Sequence, residues 1–366
     1  LELTSTTYPK GSSIFYTYDS KGNLLEARRK PKTGSGEPDI TTSFTYESRF
    51  NFIKTLKDPK GNTTTYYYDY EEAASGDLNS DGVTNQDKGN LVKIAYPAVS
   101  GQASETKLTY NSYGQVLTLT DPNGNVAAYN YDTSTGYLTK IINASGSLNL
   151  VTEMTYDAVG NVISVKDPKS NITSFEYDSH NNLIKTISAA PFNFITTYKY
   201  DANDNLIQID KQTGDANNPW QSAYHTYDVL DRLETVKDEL NNITAFTYDA
   251  NGNRSSIKDP ELNVTTYTYD ERNLLFRVTD GLGNSTEYAY DDNANLKEIK
   301  DAKGNLTSYA YDDFDRLIQV TYADGSKETY AYDANSNLIR KTDPKGQTIY
   351  YDYDALNRLV EKGLSP

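Results

Sequence analysis

Tyr290-Asp291-Asp292-Asn293-Ala294-Asn295-Leu296-Lys297-Glu298-Ile299-Lys300-Asp301-Ala302-Lys303-Gly304-Asn305-Leu306-Thr307-Ser308-Tyr309-Ala310 is followed at once by Tyr311-Asp312, where the same pattern restarts. Within this 21-residue unit lie two short runs and two turn signals. Tyrosine followed by an acid or Asn recurs at Tyr18, Tyr46, Tyr68, Tyr110, Tyr131, Tyr156, Tyr177, Tyr200, Tyr227, Tyr248, Tyr269, Tyr290, Tyr311, Tyr332 and Tyr353, and from Tyr227 onward every interval is 21. A fixed period sets the architecture before any single element is considered.

The first turn signal is the Asp-x-x-Asn/Gly-Asn cluster after each Tyr, as in Asp157-Ala158-Val159-Gly160-Asn161. The second is Asp-Pro-x-Gly, at Asp58-Pro59-Lys60-Gly61, Asp121-Pro122-Asn123-Gly124 and Asp343-Pro344-Lys345-Gly346. Asp bonds its own backbone, Pro pre-sets φ, and Gly accepts the positive φ that a type I turn with a following bulge requires. Tyr, Thr, Val and Ile fill the runs and no stretch has helical apolar spacing, so the chain reads as a string of β-hairpins.

The returning strand alternates: in Asn263-Val264-Thr265-Thr266-Tyr267-Thr268-Tyr269, Thr265, Tyr267 and Tyr269 share one face. Repetition predicts ladders of stacked Tyr between neighbouring hairpins. In the outgoing strand the apolar positions lie six and nine residues after the Tyr, as at Leu296 and Ile299, and differ in parity. Either both faces are partly buried or a bulge brings the two onto one face.

Composition fits a repeat. The 366 residues include 33 Tyr against one Trp, one Met, two His and no Cys, and 35 Lys+Arg against 51 Asp+Glu leave a formal charge of −16. Acidity argues against a nucleic-acid partner, which needs clustered Lys and Arg. Lack of Cys excludes disulfides and Cys-based metal centres. No run reaches the roughly 18 apolar residues of a membrane span, and Leu1 opens Thr/Ser/Tyr-rich sequence without a signal-like region, which reads as an excised, soluble fragment.

Tyr-Asp, then Gly/Asn-Asn-Leu, then Asp-Pro-x-Gly-Asn, then Thr-x-Tyr-x-Tyr-Asp resembles the YD-repeat, or RHS-repeat, family, from Tyr8 to Leu359; Tyr353-Asp354-Ala355-Leu356-Asn357-Arg358-Leu359 is a typical unit. The resemblance implies an all-β fold, a spiralling strip of about fifteen antiparallel hairpins forming an open, hollow shell segment. Family examples are insecticidal toxin-complex cocoons, polymorphic toxins, bacterial wall-associated proteins and the teneurin barrel. It further implies a secreted or cell-surface bacterial protein whose partners are other repeats and a C-terminal toxic cargo of the same polypeptide. In toxin members an Asp-dependent autoproteolytic core follows the repeats. This sequence stops at Glu361-Lys362-Gly363-Leu364-Ser365-Pro366, with its last repeat incomplete and no recognisable core or cargo, so no residue is assigned to cleavage. At ~4.8 Å per strand, about thirty strands make a strip roughly 145 Å long, enough for a collar roughly 45 Å across, with unpaired strand edges expected at both ends.

Departures from the period locate insertions at Arg28–Pro38, Pro97–Ala103, Asn143–Asn149, Ser188–Phe194 and Lys211–Gln221, all at the Asp-Pro end of the hairpin. That edge carries Trp220, either a cover for a local apolar patch or part of a binding rim. The interval from Tyr68 to Tyr110 differs: about seventeen residues enter the Tyr-Asp turn, within 70–88, including Asp77-Leu78-Asn79-Ser80-Asp81-Gly82-Val83-Thr84-Asn85-Gln86-Asp87-Lys88. Asp-x-Asn-x-Asp-Gly-x-x-Asn is the spacing of an EF-hand-like calcium loop. Asp77, Asn79, Asp81, the Val83 carbonyl and Asn85 are the expected ligands of a structural Ca2+, and Gly82 makes the turn. Position twelve is Lys88, not an acid, so Asp87, one residue early, is the candidate substitute. A solvated acidic Asn/Gly loop is the alternative.

His180 and His225 occupy unlike positions two repeats apart, and most Asp recur as turn residues in every unit, so the chain does not read as an enzyme. Sequons such as Asn305-Leu306-Thr307 follow from the repeat itself. Two uses remain: a structural shell enclosing or presenting another region, or a surface adhesion module recognising glycans or a partner cell through rim loops.

Overall fold

The computed structural model describes residues 3–84 and 87–364. It is all-β: 31 strands run from Ser5–Thr7 to Leu359–Leu364, and the only helical turns among the described residues are Asp69–Glu71 and Glu72–Ser75. Contacts divide the chain into two units, one made of Leu1–Gly124 with Thr286–Pro366, the other of Asn125–Ser285. Within each unit successive strands pair antiparallel, as Thr348–Tyr353 does with Leu359–Leu364 in the first and Ile172–Tyr177 with Leu183–Ile187 in the second.

The two turns close as their residues predict. In the Tyr-Asp turn the Asp249 N–H donates to the Asn253 carbonyl at 2.9 Å, and Gly252, at φ +87°, donates to the Asp249 carbonyl at 3.1 Å. The Asp-Pro turn repeats this with Asp259 and Asn263, and there Leu262 takes the left-handed position at φ +70° that Gly holds in most copies. Each Asp also accepts from side chains: Asp249 Oδ2 takes the Asn253 Nδ2–H at 3.1 Å. That Asn side-chain bond is the main reason the Asp249, Asp280 and Asp301 carboxyls sit below the usual range. The same Asn reaches the next repeat, as in Asn253 to Asn273 at 2.9 Å and Asn295 to Asp315 at 2.6 Å, so a polar ladder runs along this edge within each unit.

The parity of the outgoing strand is settled by a bulge. Tyr290 pairs with Leu296 and Tyr288 with Ile299, with Lys297 the extra residue, so Leu296 and Ile299 join the two Tyr on one face. The equivalent shift falls just before the Tyr in other repeats, as at Glu176/Tyr177 and Ala331/Tyr332. The predicted Tyr ladder is corrected. An outgoing strand separates successive returning strands, so their rings stand roughly 10 Å apart and Leu and Ile fill the rows between them. Ring pairs among the described residues, such as Tyr137–Tyr156 and Phe50–Tyr70, arise at turns and insertions instead.

What the repeated Tyr contributes is its hydroxyl. Tyr46 donates to the Leu24 carbonyl at 3.0 Å, Tyr110 to Leu91 at 2.7 Å, Tyr200 to Leu183 at 2.9 Å, Tyr248 to Leu233 at 2.8 Å and Tyr332 to Leu317 at 2.9 Å. In each case the ring crosses to the start of the preceding outgoing strand, beyond the last pair of the ladder between the two strands: Leu233 lies two residues before Thr235, whose pairing with Ala245 ends that ladder. Phe would fill the space and orphan that acceptor. Tyr248→Phe is therefore expected to cost about 1 kcal/mol in urea unfolding. Tyr113→Phe, on a turn tip with Tyr113 82% exposed, is expected to cost nothing measurable.

A single sheet layer has little interior, and most apolar side chains are half-buried. Near-complete burial gathers at two places in the first unit. One surrounds the inserted loop, with Tyr68, Asp69, Glu72, Leu78, Asn79 and Val92; the other includes Ile40, Asp312 and Phe314.

Candidate functional site

The insertion opens from a hairpin whose closure is kept. The Asp69 N–H donates to the Asn90 carbonyl at 2.9 Å, the bond that Asp249 makes to Asn253 in an ordinary repeat. Fully buried Asp69 also accepts the Gly89 N–H at 2.9 Å, fixing both ends of the long turn. Between them the chain makes the short helix Glu72–Ser75, breaks at Gly76, and enters the loop predicted from sequence.

Asp77 Oδ1 accepts the Asp81 N–H at 3.0 Å and its Oδ2 the Gly82 N–H at 2.8 Å, while Asp81 Oδ1 accepts the Val83 N–H at 2.8 Å. Gly82 turns at φ +82°, as the motif requires. Asn79 is buried; its Oδ1 accepts the Asp81 N–H at 3.1 Å and its Nδ2 donates to the Leu108 carbonyl at 2.6 Å, anchoring the loop to the neighbouring hairpin. Asn85 lies outside the described residues. Asp87, more than half exposed, forms an ion pair with Arg49.

The acid that completes the group is Glu72, which sequence spacing did not indicate. One oxygen each of Glu72, Asp77 and Asp81 lie within 4.8 Å of one another. Glu72 is fully buried and neither of its oxygens has a hydrogen-bond partner; the nearby Leu78 N–H does not reach bonding geometry. Burial, then the Asp81 and Asp77 charges, push its carboxyl up to about 7. An acid five residues before an Asp-x-Asn-x-Asp loop was the available signal, but acids are too common for that to stand out.

The second buried place is a seam inside the first unit, where turns far apart in sequence meet. Lys10 Nζ pairs with Asp291 at 3.0 Å, Lys32 with Asp313 at 3.4 Å and Lys60 with Asp333 at 3.1 Å. The Lys10 N–H donates to Asn293 at 3.0 Å and the Lys60 N–H to Asn335 at 3.1 Å. Successive Asp-Pro-type turns of the N-terminal segment thus seat on successive Tyr-Asp turns of the C-terminal segment, at separations of 273 to 283 residues. Burial works against ionised Asp291, but its bonds from Lys10 and Asn295 hold the carboxyl below the usual range. At the centre, the guanidinium groups of Arg29 and Arg316 lie over the Phe314 ring, 5.2 and 5.3 Å from its centroid.

In the second unit, His180 stands on an exposed turn tip with Nδ1 3.4 Å from Asp204, and His225 lies within the strand Trp220–Tyr227. Trp220 opens that strand, 40% exposed and opposite Gln212.

The RHS Repeat family matches residues 110–148, 156–190, 227–263, 290–327 and 332–363. The chain belongs to the RHS-repeat family. No curated protein matches it in sequence. Among solved structures, the RHS array resembles the crystal structure of TcdB2-TccC3-TEV (TM-score 0.72, 14% identity), covering 99% of this chain and 20% of that one. TcdB2-TccC3 gives TM-score 0.67 at 14% identity over 99% of this chain and 20% of that one. The Tc holotoxin pore of Photorhabdus luminescens gives 0.57 at 14% identity, over 97% and 25%. The RHS array thus spans about a fifth to a quarter of the length of these structures. No helix of its described residues is long and apolar enough to cross a membrane.

Proposed function

We propose that this chain is a wall segment of a hollow RHS shell that encloses or presents a C-terminal toxin or effector region of the same secreted or surface polypeptide. The seam carries this reading. Turn edges that latch onto turn edges at a near-constant sequence separation make a hairpin strip into a continuous wall, and the interactions are salt bridges and turn contacts with no reacting groups. The likeness to Tc toxin structures supports it at the level of fold.

The test is limited proteolysis of the complete polypeptide. A region enclosed by the wall stays uncut under conditions that digest the same region expressed alone, and equal rates of digestion would remove the reading. Surface recognition through the variable Asp-Pro rim is the second reading, favoured by the exposure of Trp220 and Phe192.

A further inference from the structure

We infer that the inserted loop is a calcium site whose decisive ligand is Glu72, a residue outside the loop motif. The spacing Asp77, Asn79, Asp81, Gly82 reproduces the first half of an EF-hand-like loop, but position twelve is Lys88 and no bidentate acid follows in register. The fold supplies one from the other side. The helical turn before the loop directs Glu72 into the group, with one of its oxygens within 4.8 Å of one oxygen each of Asp77 and Asp81.

Oxygens sharing one calcium at 2.3–2.6 Å lie no more than about 5 Å apart, so this spacing needs little rearrangement. Two Glu72 oxygens, one each from Asp77, Asn79 and Asp81, and the Val83 carbonyl make about six donors, the lower end of the calcium range. All are oxygens, and three are carboxylates, which suits a hard divalent cation.

The independent observation is the condition of Glu72. A carboxylate with no exposed surface and no hydrogen-bond donor on either oxygen is costly to hold charged, and the fold places two more carboxylates beside it. A bound cation removes that cost for all three. Asp87 is engaged elsewhere, with Arg49, so Glu72 takes the part that loop spacing assigned to it. The role is structural: the ion ties the helix Glu72–Ser75 to the loop and, through Asn79 and Leu108, to the adjacent hairpin.

The inference is independent of what the wall encloses and is tested on this chain directly. Calorimetric titration of the chelator-treated protein with CaCl2 is expected to show one site per chain, and MgCl2 to bind at least tenfold more weakly. Glu72→Gln is expected to weaken calcium binding at least tenfold while leaving the EDTA-treated protein as stable as the parent, or more so, because it removes a buried unpaired acid. Asp81→Asn serves as a second variant should Glu72→Gln fold poorly, with the same loss expected. Absence of both a binding heat and a calcium-dependent rise in melting temperature would overturn the inference. So would unchanged calcium affinity in Glu72→Gln, or tighter binding of magnesium than of calcium.

Discussion

Phe314→Ala opens the seam of the first unit at a cost of about 3–5 kcal/mol, the range for removing a large aromatic side chain from a filled site. Phe314 occupies the turn position that Asn293 and Asn335 hold in the flanking repeats, where a side chain would ordinarily face water. It is instead 5% exposed, packed beneath the segment that carries Arg29 and Ile40. Arg29 Nη2 donates to the Phe314 carbonyl at 2.7 Å while its guanidinium lies over the ring, so truncation removes apolar contact and a cation–π pair together. Phe314→Leu, which keeps most of the volume, costs less. Native-state hydrogen exchange separates this from a general loss of stability. The Lys32 amide, bonded to Asp313 across the seam at 3.1 Å, should exchange faster in Phe314→Ala, whereas amides of the strand Ile243–Tyr248 should not change. An unaltered Lys32 rate would show that the seam does not depend on this ring.

The fold was legible because its instructions are local and repeated. Tyr-Asp, the Asx bonds of each turn and the left-handed fourth position lie within five residues of one another, and fifteen copies average out exceptions such as Leu262. Parity in the outgoing strand was undecided because a bulge is a two-strand property: it is visible only once Tyr290 is seen opposite Leu296 and Tyr288 opposite Ile299. The preference for Tyr over Phe, 33 against 10, is visible in the composition alone. At the repeated Tyr the reason lies in the preceding outgoing strand, whose first carbonyl lies beyond the ladder and accepts the hydroxyl, as Leu233 does from Tyr248.

The candidate site was legible in part for the same reason. Asp77, Asn79, Asp81 and Gly82 are bound to one another by hydrogen bonds spanning two to five residues, which spacing captures. Glu72 joins the acidic group by a helical turn that no periodic pattern announces, and the Asp87 carboxylate pairs with Arg49, 38 residues earlier. The seam was beyond reach, since Lys at the third position of this turn also occurs at Lys169 and Lys345 after Asp-Pro and at Lys303 after Asp-Ala. Only the return of the chain against itself distinguishes Lys10 and Lys60 from these.

Asp312→Ala provides the second large effect, and its size follows from what is left behind. Asp312 is 6% exposed and accepts the Phe314 N–H at 2.9 Å, the Arg316 N–H at 3.0 Å and the Arg316 Nε–H at 2.6 Å. The Arg316 side chain is itself mostly buried, with Nη1 held by the Asp333 carbonyl at 3.0 Å, so it cannot turn to water when its counter-ion is removed. An uncompensated buried charge costs about 3–5 kcal/mol. Glu37 moderates this: burial first, then the Asp312 and Asp313 charges, raise its carboxyl, and removing Asp312 relieves part of that repulsion. The lower end of the range is expected. Asp354→Ala is the internal control, because Arg358 bonds Asp354 in the same way but is 65% exposed and can be rehydrated, for a loss of about 1 kcal/mol. Urea unfolding of both variants checks the difference; equal losses would mean that the turn bonds alone, and not burial at the seam, set the cost. Combining Asp312→Ala with Phe314→Ala should cost less than the two single losses added, because either change dismantles the packing that makes the other expensive.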